Sequence, residues 1–170
     1  MSGRRVLGVD PGTRATGYGL VERNDPTHRL LECGVIRPRK NADLTGRLVE
    51  IHTGLIELID RLEPDCVALE GVFTGRNART AMVLGHARGV LVLAAALRSI
   101  PVFDYPPREV KKRVVGTGSA TKAQVGFMVQ KHLRLREAPS PADAADGCAI
   151  ALCHLLKPSL VSGAMVGASR

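Results

Sequence analysis

The stretch RVLGVDPGTRATGYGLVE, residues 5–22, sets an aspartate at the end of an apolar run and follows it with a Pro-Gly-Thr turn. Its pattern predicts two strands, at 5–10 and 17–22, joined by the turn DPGTRAT. LLECGVIR at 30–37 predicts a third strand and so a three-stranded meander. Asp10 is then either a turn residue, which Asp before Pro-Gly favours, or a ligand at a strand end.

Beyond this meander the apolar spacing changes to threes and fours, which predicts an amphipathic helix from Asp43 to just before Pro64. CVALEGV at 66–72 reads as a short strand covered on both faces, with Glu70 near its end. Further elements are predicted as a helix at 77–98, a strand at 101–105, and helices at 108–115, 121–135 and 141–157. This order predicts an α/β domain, a mixed five-stranded sheet with helices on both faces.

The composition indicates one folded domain. The chain has 170 residues, 45% of them hydrophobic, and a mean hydropathy of +0.04, which is enough apolar material for a core. We expect the domain to span 1–157 and the aperiodic segment 158–170 to be a flexible C-terminal tail. The 24 Lys and Arg against 16 Asp and Glu give a net charge of +8. This charge favours a nucleic-acid partner, although a generic basic soluble protein has it too.

Several other classes are disfavoured by the sequence. The cysteines, at 33, 66, 148 and 153, form no CxxC pair and no zinc spacing, so we expect reduced core thiols. The longest apolar run, VLVLAAAL at 90–97, is too short to cross a bilayer, and we expect a cytoplasmic protein with no membrane partner. The run is apolar almost all round, which predicts cover by more than one neighbour and offers a subunit interface. GTGSATK at 116–122 does not match a P-loop.

Acidic residues stand at two strand ends. Asp10 shares a strand face with Val6 and Gly8, and Glu70 lies near the end of a second apolar strand. A carboxylate in such a place is costly to desolvate unless it is hydrogen-bonded or meets a cation. Taken separately, a turn explains Asp10 and an exposed strand end explains Glu70.

A second acidic pair lies in SPADAADGCAIALCH, residues 140–154. Asp143 and Asp146 are three apart, so they project from one face of a helix and can reach a common ion. Asp143 has an alternative role, because Ser140 followed three residues later by an acid resembles a capping box. Asp146 lies past that cap, beside the small residue Gly147.

If the four acids converge, mutual repulsion destabilises the fold unless a positive charge lies among them. A ligand set made only of oxygens favours Mg²⁺ or Mn²⁺. Two such ions roughly 4 Å apart activate a water and stabilise the leaving oxygen of a phosphodiester. The pattern therefore suggests two-metal hydrolysis that needs no side-chain nucleophile.

Four motifs together carry a family resemblance that spans residues 5 to about 155. They are GVDPGTRATGYG, ALEGVFTGRNARTAMVLGHARGV, YPPREVKKRVVGTGSATKAQV and PADAADGCAIA. The chain resembles the RuvC-type Holliday-junction resolvases, bacterial endonucleases with an RNase H-like fold. Gly147 and Cys148 are smaller than the residues that the resemblance leads us to expect.

The resemblance implies a homodimer that resolves four-way DNA junctions, in recombination and repair, by paired symmetric nicks. It implies two Mg²⁺ per subunit, with Mn²⁺ able to substitute, and the branch-migration proteins RuvA and RuvB as partners. The residues on the family's metal-binding and catalytic positions are Asp10, Glu70, Asp143 and Asp146.

Candidate DNA-binding residues lie in two regions. In GVFTGRNART, Phe73 is either an exposed wedge against a base or a folded-back hydrophobic plug, and Arg76 and Arg79 are placed to meet phosphates. Thr121 with Gln124 resembles a capping box whose helix end binds phosphate. The basic residues around this loop are Arg108, Lys111, Lys112, Arg113 and Lys122, of which the resemblance favours Lys111 and Lys122. About six phosphate contacts would give a log-log salt slope of about −5.

Three alternatives stay open at this point. The opening motif also resembles the phosphate loop of actin- or sugar-kinase-like proteins, which need a second domain that this chain has no room for. A nuclease of the same fold acting on RNA is the second alternative. The third is a non-enzymatic junction-binding module, which would not need four converging acids.

Overall fold

The computed structural model describes residues 4–71 and 77–157. The strands are β1 (Arg5–Asp10), β2 (Thr16–Asn24), β3 (Thr27–Ile36), β4 (Cys66–Glu70) and β5 (Val102–Tyr105). The helices are α1 (Leu44–Leu62), α2 (Ala78–Leu97), α3 (Pro107–Val115), α4 (Lys122–His132) and α5 (Ala142–Leu155). The predicted order of elements is confirmed.

The strands form one sheet in the order β3-β2-β1-β4-β5. β1, β2 and β3 pair antiparallel, as the meander predicts, whereas β4 lies parallel to both β1 and β5. The predicted mixed five-stranded sheet is therefore confirmed, and β1 and β4 lie side by side with their carboxyl ends together.

Helices cover both faces of this sheet. On one face Leu7 and Val9 of β1 are buried in the same cluster as residues of α1 and α2, while Val6 faces a cluster built with α3, α4 and α5. The alternation follows from the two-residue period of a strand, and it divides the core into two layers. Asp10 and Glu70 therefore lie on the face that α5 covers.

Element bounds differ from the prediction at functionally relevant points. β4 ends at Glu70, two residues earlier than predicted, so this carboxylate is the last residue of its strand. α4 ends at His132 because Leu133 is its C-cap and Arg134 takes a left-handed φ of 53°. The capping box of Thr121 is confirmed: the backbone N–H of Gln124 donates to the Thr121 hydroxyl oxygen at 3.2 Å.

The capping box predicted at the start of α5 is wrong. Pro141, not Ser140, is the N-cap, and no side chain caps this helix end. A capping box needs Asp143 as the third helical residue. With Pro141 as the N-cap, Asp143 is instead the second helical residue. Its side chain takes no part in capping, which removes the alternative explanation for this acid.

Within a single chain α2 is only partly covered along 90–97, where the sequence predicts cover by more than one neighbour. Leu91 is fully buried, but Leu93 and Leu97 are 51% and 58% exposed. The helix is long and apolar enough to span a membrane, with a mean hydropathy of 1.6, although the run at 90–97 alone is too short. This is weak evidence for a membrane, because a soluble helix with one open apolar face meets the same criterion. The open face is the feature to be explained.

Candidate metal centre

The sheet brings the first two acids together. β1 and β4 run parallel and Val9 pairs with Leu69, so Asp10 and Glu70 follow on neighbouring strands at the same edge. They lie close enough for the two carboxyl groups to hydrogen-bond and repel each other. Asp10 is thus a strand-end carboxylate facing the site, while the turn is stabilised by Thr16, whose hydroxyl donates to the Gly12 carbonyl oxygen at 2.7 Å.

Glycines bring α5 against the strands. A Cβ atom on Gly17 of β2 would collide with the backbone of Asp143, and one on Gly147 would lie 2.6 Å from the backbone of Tyr18. The backbones of helix and sheet therefore touch, because neither carries a side chain at these points. The small residue Gly147 is what the packing requires, and Cys148 packs over Gly19 in the same way.

This close approach gathers the acids. One carboxylate oxygen from each of Asp10, Asp143 and Asp146 lies within 4.8 Å of the others. All four carboxylates, including Glu70, line a single cleft of about 460 Å³. The structure therefore brings all four predicted acids together.

Burial and mutual repulsion of carboxylates dominate the electrostatics of the cleft. Burial, followed by repulsion from Glu70 and Asp146, raises the pKa of Asp10 from 3.8 to about 8. Lys122 Nζ donates to Asp146 Oδ2 at 3.0 Å, and this hydrogen bond raises the pKa of the lysine. A proton and a lysine thus supply positive charge that one or two bound cations would supply better.

The donor set fits a hard divalent ion. The four carboxylates offer only oxygen, the ligand atom preferred by Mg²⁺ and Mn²⁺. The cleft is partly open, and Asp143 and Asp146 are neither fully buried nor fully exposed, which leaves access for an ion and a substrate oxygen.

The predicted DNA-binding residues fall into three groups. Lys111 and Lys122 line the acidic cleft. Arg79, Arg108 and Lys112 are exposed on the surface and do not line it. The remaining two, Phe73 and Arg76, lie outside the described residues.

Another basic residue near the cleft is already paired. Arg113 donates to Glu109 at 2.6 Å, four residues earlier on the same helix. Sequence reasoning also missed a separate, basic cleft that contains Arg14 and the run RPRK at 37–40. The only sequence signal for it is that run, since its other cations come from separate segments.

Comparisons with known proteins agree with this geometry. The family model "Crossover junction endodeoxyribonuclease RuvC" matches residues 6–154. The chain belongs to the RuvC family. A RuvC of Halorhodospira halophila is 48% identical over 98% of this chain and 99% of the relative, and one of Desulforamulus reducens is 44% identical over 93% and 97%.

A solved RuvC structure gives the same result at the level of the fold. The structure described as T. thermophilus RuvC in complex with Holliday junction substrate superposes with a TM-score of 0.84 at 36% identity. The alignment covers 90% of this chain and 93% of the other. The RNase H-like fold expected from the resemblance is confirmed, and RuvC family membership accounts for the order of all four motifs.

Proposed function

We propose that this protein is a divalent-metal-dependent endodeoxyribonuclease that resolves Holliday junctions by paired symmetric nicks, in homologous recombination and DNA repair. The observation that carries the proposal is the convergence of Asp10, Glu70, Asp143 and Asp146 in one cleft of a basic, RuvC-family chain. Similar proteins are named crossover junction endodeoxyribonucleases, and one of them has been solved with a Holliday junction.

In this proposal the four carboxylates hold two Mg²⁺ per subunit, and Mn²⁺ substitutes. Such a pair supplies an activated water and charge stabilisation at the leaving oxygen. Asp10, whose pKa is raised by burial, would lose its proton when a cation binds. Lys122 exchanges its contact with Asp146 for a substrate phosphate, which places a positive charge next to the scissile group.

The DNA backbone approaches this cleft across basic side chains. Lys111 and Lys122 contact the phosphates nearest the cut, because both line the cleft. Flanking phosphates are assigned to Arg76, Arg79, Arg108 and Lys112, and Phe73 is assigned to a base step at the junction centre. Binding to phosphates predicts the salt slope of about −5 given above.

We further propose a homodimer formed through the open face of α2. Met82 is 63% exposed on this face. The surface beside Gly85 and Gly89 is open, because no heavy atom of the described residues lies within 4 Å of a Cβ placed on either glycine. Two such helices can approach closely at the glycines and bury Leu93 and Leu97. A two-fold dimer carries two metal sites, which suits paired cuts on a two-fold junction.

Two further assignments follow from the family resemblance. We propose that the protein acts in the cytoplasm and works with the RuvA and RuvB branch-migration proteins. Copurification of each protein on immobilised junction DNA tests the second assignment.

The first test is Asp10→Asn. Loss of several kcal/mol of transition-state stabilisation predicts a fall in the junction-cutting rate of at least about a thousandfold. Junction affinity should stay within about threefold of wild type, since the proposed phosphate contacts are made by basic side chains and not by Asp10. Single-turnover cutting and a gel-shift titration measure the two quantities. Wild-type cutting by the variant would refute the metal-site assignment.

A substrate panel separates the alternatives. A four-way DNA junction, a matched duplex and an RNA hairpin are incubated with the protein in Mg²⁺ or Mn²⁺. We expect paired nicks in the junction alone. Cutting of the RNA hairpin would favour the ribonuclease alternative, and junction binding without cutting would favour the non-enzymatic module.

A further inference from the structure

A second cleft, which is basic, lies beside the candidate metal centre. It has a volume of about 570 Å³ and is lined by Pro38 and five cationic residues. We call it the arginine cleft; its cations are Arg14, Arg37, Arg39, Lys40 and Arg47. They come from the loop between β1 and β2, the segment between β3 and α1, and the first turn of α1.

Most of this positive charge is not neutralised. Among the described residues, no carboxylate oxygen lies within 4 Å of a charged nitrogen of Arg14, Arg37 or Lys40. Arg39 is the exception, because its Nε donates to Glu50 at 2.7 Å. A cleft with several unpaired cations is a site for an anion with several charges.

Backbone contacts hold the cleft in shape. The Arg47 guanidinium donates to the carbonyl oxygens of Ala42 and Lys40, at 2.9 and 3.2 Å. These bonds fix the segment that carries Lys40 without neutralising the guanidinium. Pro38 is buried at the base of the same segment.

The arginine cleft adjoins the metal centre along one edge of the sheet. Asp10 pairs with Gly17 across β1 and β2, and Gly17 pairs with Val35 on β3, which ends one residue later. Two strand spacings separate β1 from β3, roughly 10 Å. The loop that carries Arg14 also lines the acidic cleft through Pro11 and Gly12, so the two clefts share a wall.

We infer that the arginine cleft binds the phosphate backbone of a junction arm as it leaves the metal centre. The inference rests on the proposed function and assigns a DNA contact surface beyond it. Since β3 lies two strand spacings from β1, the cleft would meet phosphates away from the cut and not the scissile phosphate itself. Within residues 4–71 and 77–157, no aromatic side chain lines the cleft, which fits a backbone and disfavours stacking on a base.

The test is the double variant Arg37→Gln with Lys40→Gln. Neither side chain makes a hydrogen bond or ion pair among the described residues, so the changes remove charge and no recorded contact. The charge-matched control is Arg23→Gln with Arg29→Gln. Both control side chains lie near the β2–β3 turn, at the opposite end of the sheet. Arg23 pairs with the exposed Asp25, and Arg29 pairs with Glu22, which Arg5 also binds.

The measurement is the affinity for a labelled four-way junction against salt concentration, without divalent metal. We expect the log-log slope of the double variant to be shallower than that of wild type by about two, with at least about tenfold weaker binding at low salt. Lengthening the junction arms should strengthen binding by wild type and by the control more than binding by the double variant.

Two results would overturn the inference. The first is a slope and an arm-length dependence equal to those of the control. The second is calorimetric binding of inorganic pyrophosphate that the double variant loses while its junction affinity stays at the wild-type value, since the cleft would then serve a free anion. Failure of wild type to cut junctions in Mg²⁺ would instead refute the proposed function, and the binding comparison would still decide the role of the cleft.

Discussion

At the scale of single residues, the protonation state of Asp10 depends on its burial and on the neighbouring carboxylates. The folded protein without metal keeps a proton on this carboxyl group up to about pH 8, whereas the unfolded chain loses it near 3.8. The stability that this proton confers is therefore fully present below pH 3.8 and is lost as the pH rises through 8. Under the proposed function, a bound cation would take the place of the proton and remove this loss.

We accordingly predict that metal-free protein melts at a lower temperature at pH 8.5 than at pH 6.5. The rise in melting temperature on adding Mn²⁺ should be larger at the higher pH, because no proton then competes for the site. Thermal melts in EDTA and in Mn²⁺ give both quantities. Asp10→Asn should flatten the pH dependence, and an Mn²⁺ effect independent of pH would contradict the assignment.

His154 titrates in the opposite sense. It is buried on α5, and its Nδ1 shares a 2.7 Å hydrogen bond with the Tyr105 hydroxyl. Burial, reinforced by the charge of Arg4, lowers the pKa of His154 from 6.5 to about 4. The stability that the neutral His154 contributes is fully present above pH 6.5. It is lost as the pH falls towards 4, which lowers the free energy of unfolding by roughly 3 kcal/mol.

His154→Gln tests this second dependence, since glutamine offers a hydrogen-bond partner that does not titrate. Urea unfolding between pH 4 and 6.5 should show a smaller change in unfolding free energy for the variant than for wild type. The His132→Gln variant serves as control, because His132 is only half-buried and bonds a backbone oxygen. Equal slopes for His154→Gln and wild type would contradict the prediction.

At the scale of elements, the position of α5 determines whether a metal centre forms. Gly147→Ala adds a methyl group against the backbone of Tyr18, so we predict a loss of about 2–4 kcal/mol in unfolding free energy and weaker metal binding. Gly126→Ala in α4 is the matched control, because nothing lies within 4 Å of its new methyl group. It should stabilise the protein by up to about 1 kcal/mol. Denaturant unfolding of both variants makes the comparison.

The sequence predicted the elements well where their pattern was local. The apolar period identified α1, and strand alternation placed Asp10 on one face with Val6 and Gly8, the face that α5 covers in the structure. The role of Asp143 was ambiguous, because a capping box and a metal ligand have the same local sequence. Only the frame of the helix, set by Pro141 as N-cap, separates them.

Apart from the gathering of the four acids, features that depend on contacts between distant segments were not predicted. The need for Gly147 follows from the backbone of Tyr18, which lies far away in the sequence. The arginine cleft joins three segments, so only its run RPRK was visible in advance. The exposure of Leu93 likewise depends on which face of α2 packs on α1, and an all-round apolar helix does not reveal that.

At the scale of the whole molecule, the open face of α2 makes a prediction about assembly. Leu93→Arg would bury an unpaired charge in the proposed interface, so dimer affinity should fall by at least about a hundredfold. Val49→Arg, at a 64% exposed position on α1, should leave the dimer intact. Sedimentation velocity at micromolar concentration distinguishes the two. A wild-type protein that sediments only as a monomer would refute the dimer.

The placement of the acids also bears on synthesis of the chain. Asp10 belongs to the first strand, whereas Asp143 and Asp146 belong to the last helix that the structure describes. A nascent polypeptide emerging from the ribosome thus carries only half of its ion-holding groups until α5 has been translated and has docked on the glycines of β1 and β2. Fragments that end before that helix lack Asp143 and Asp146, so we expect them not to cut junction DNA.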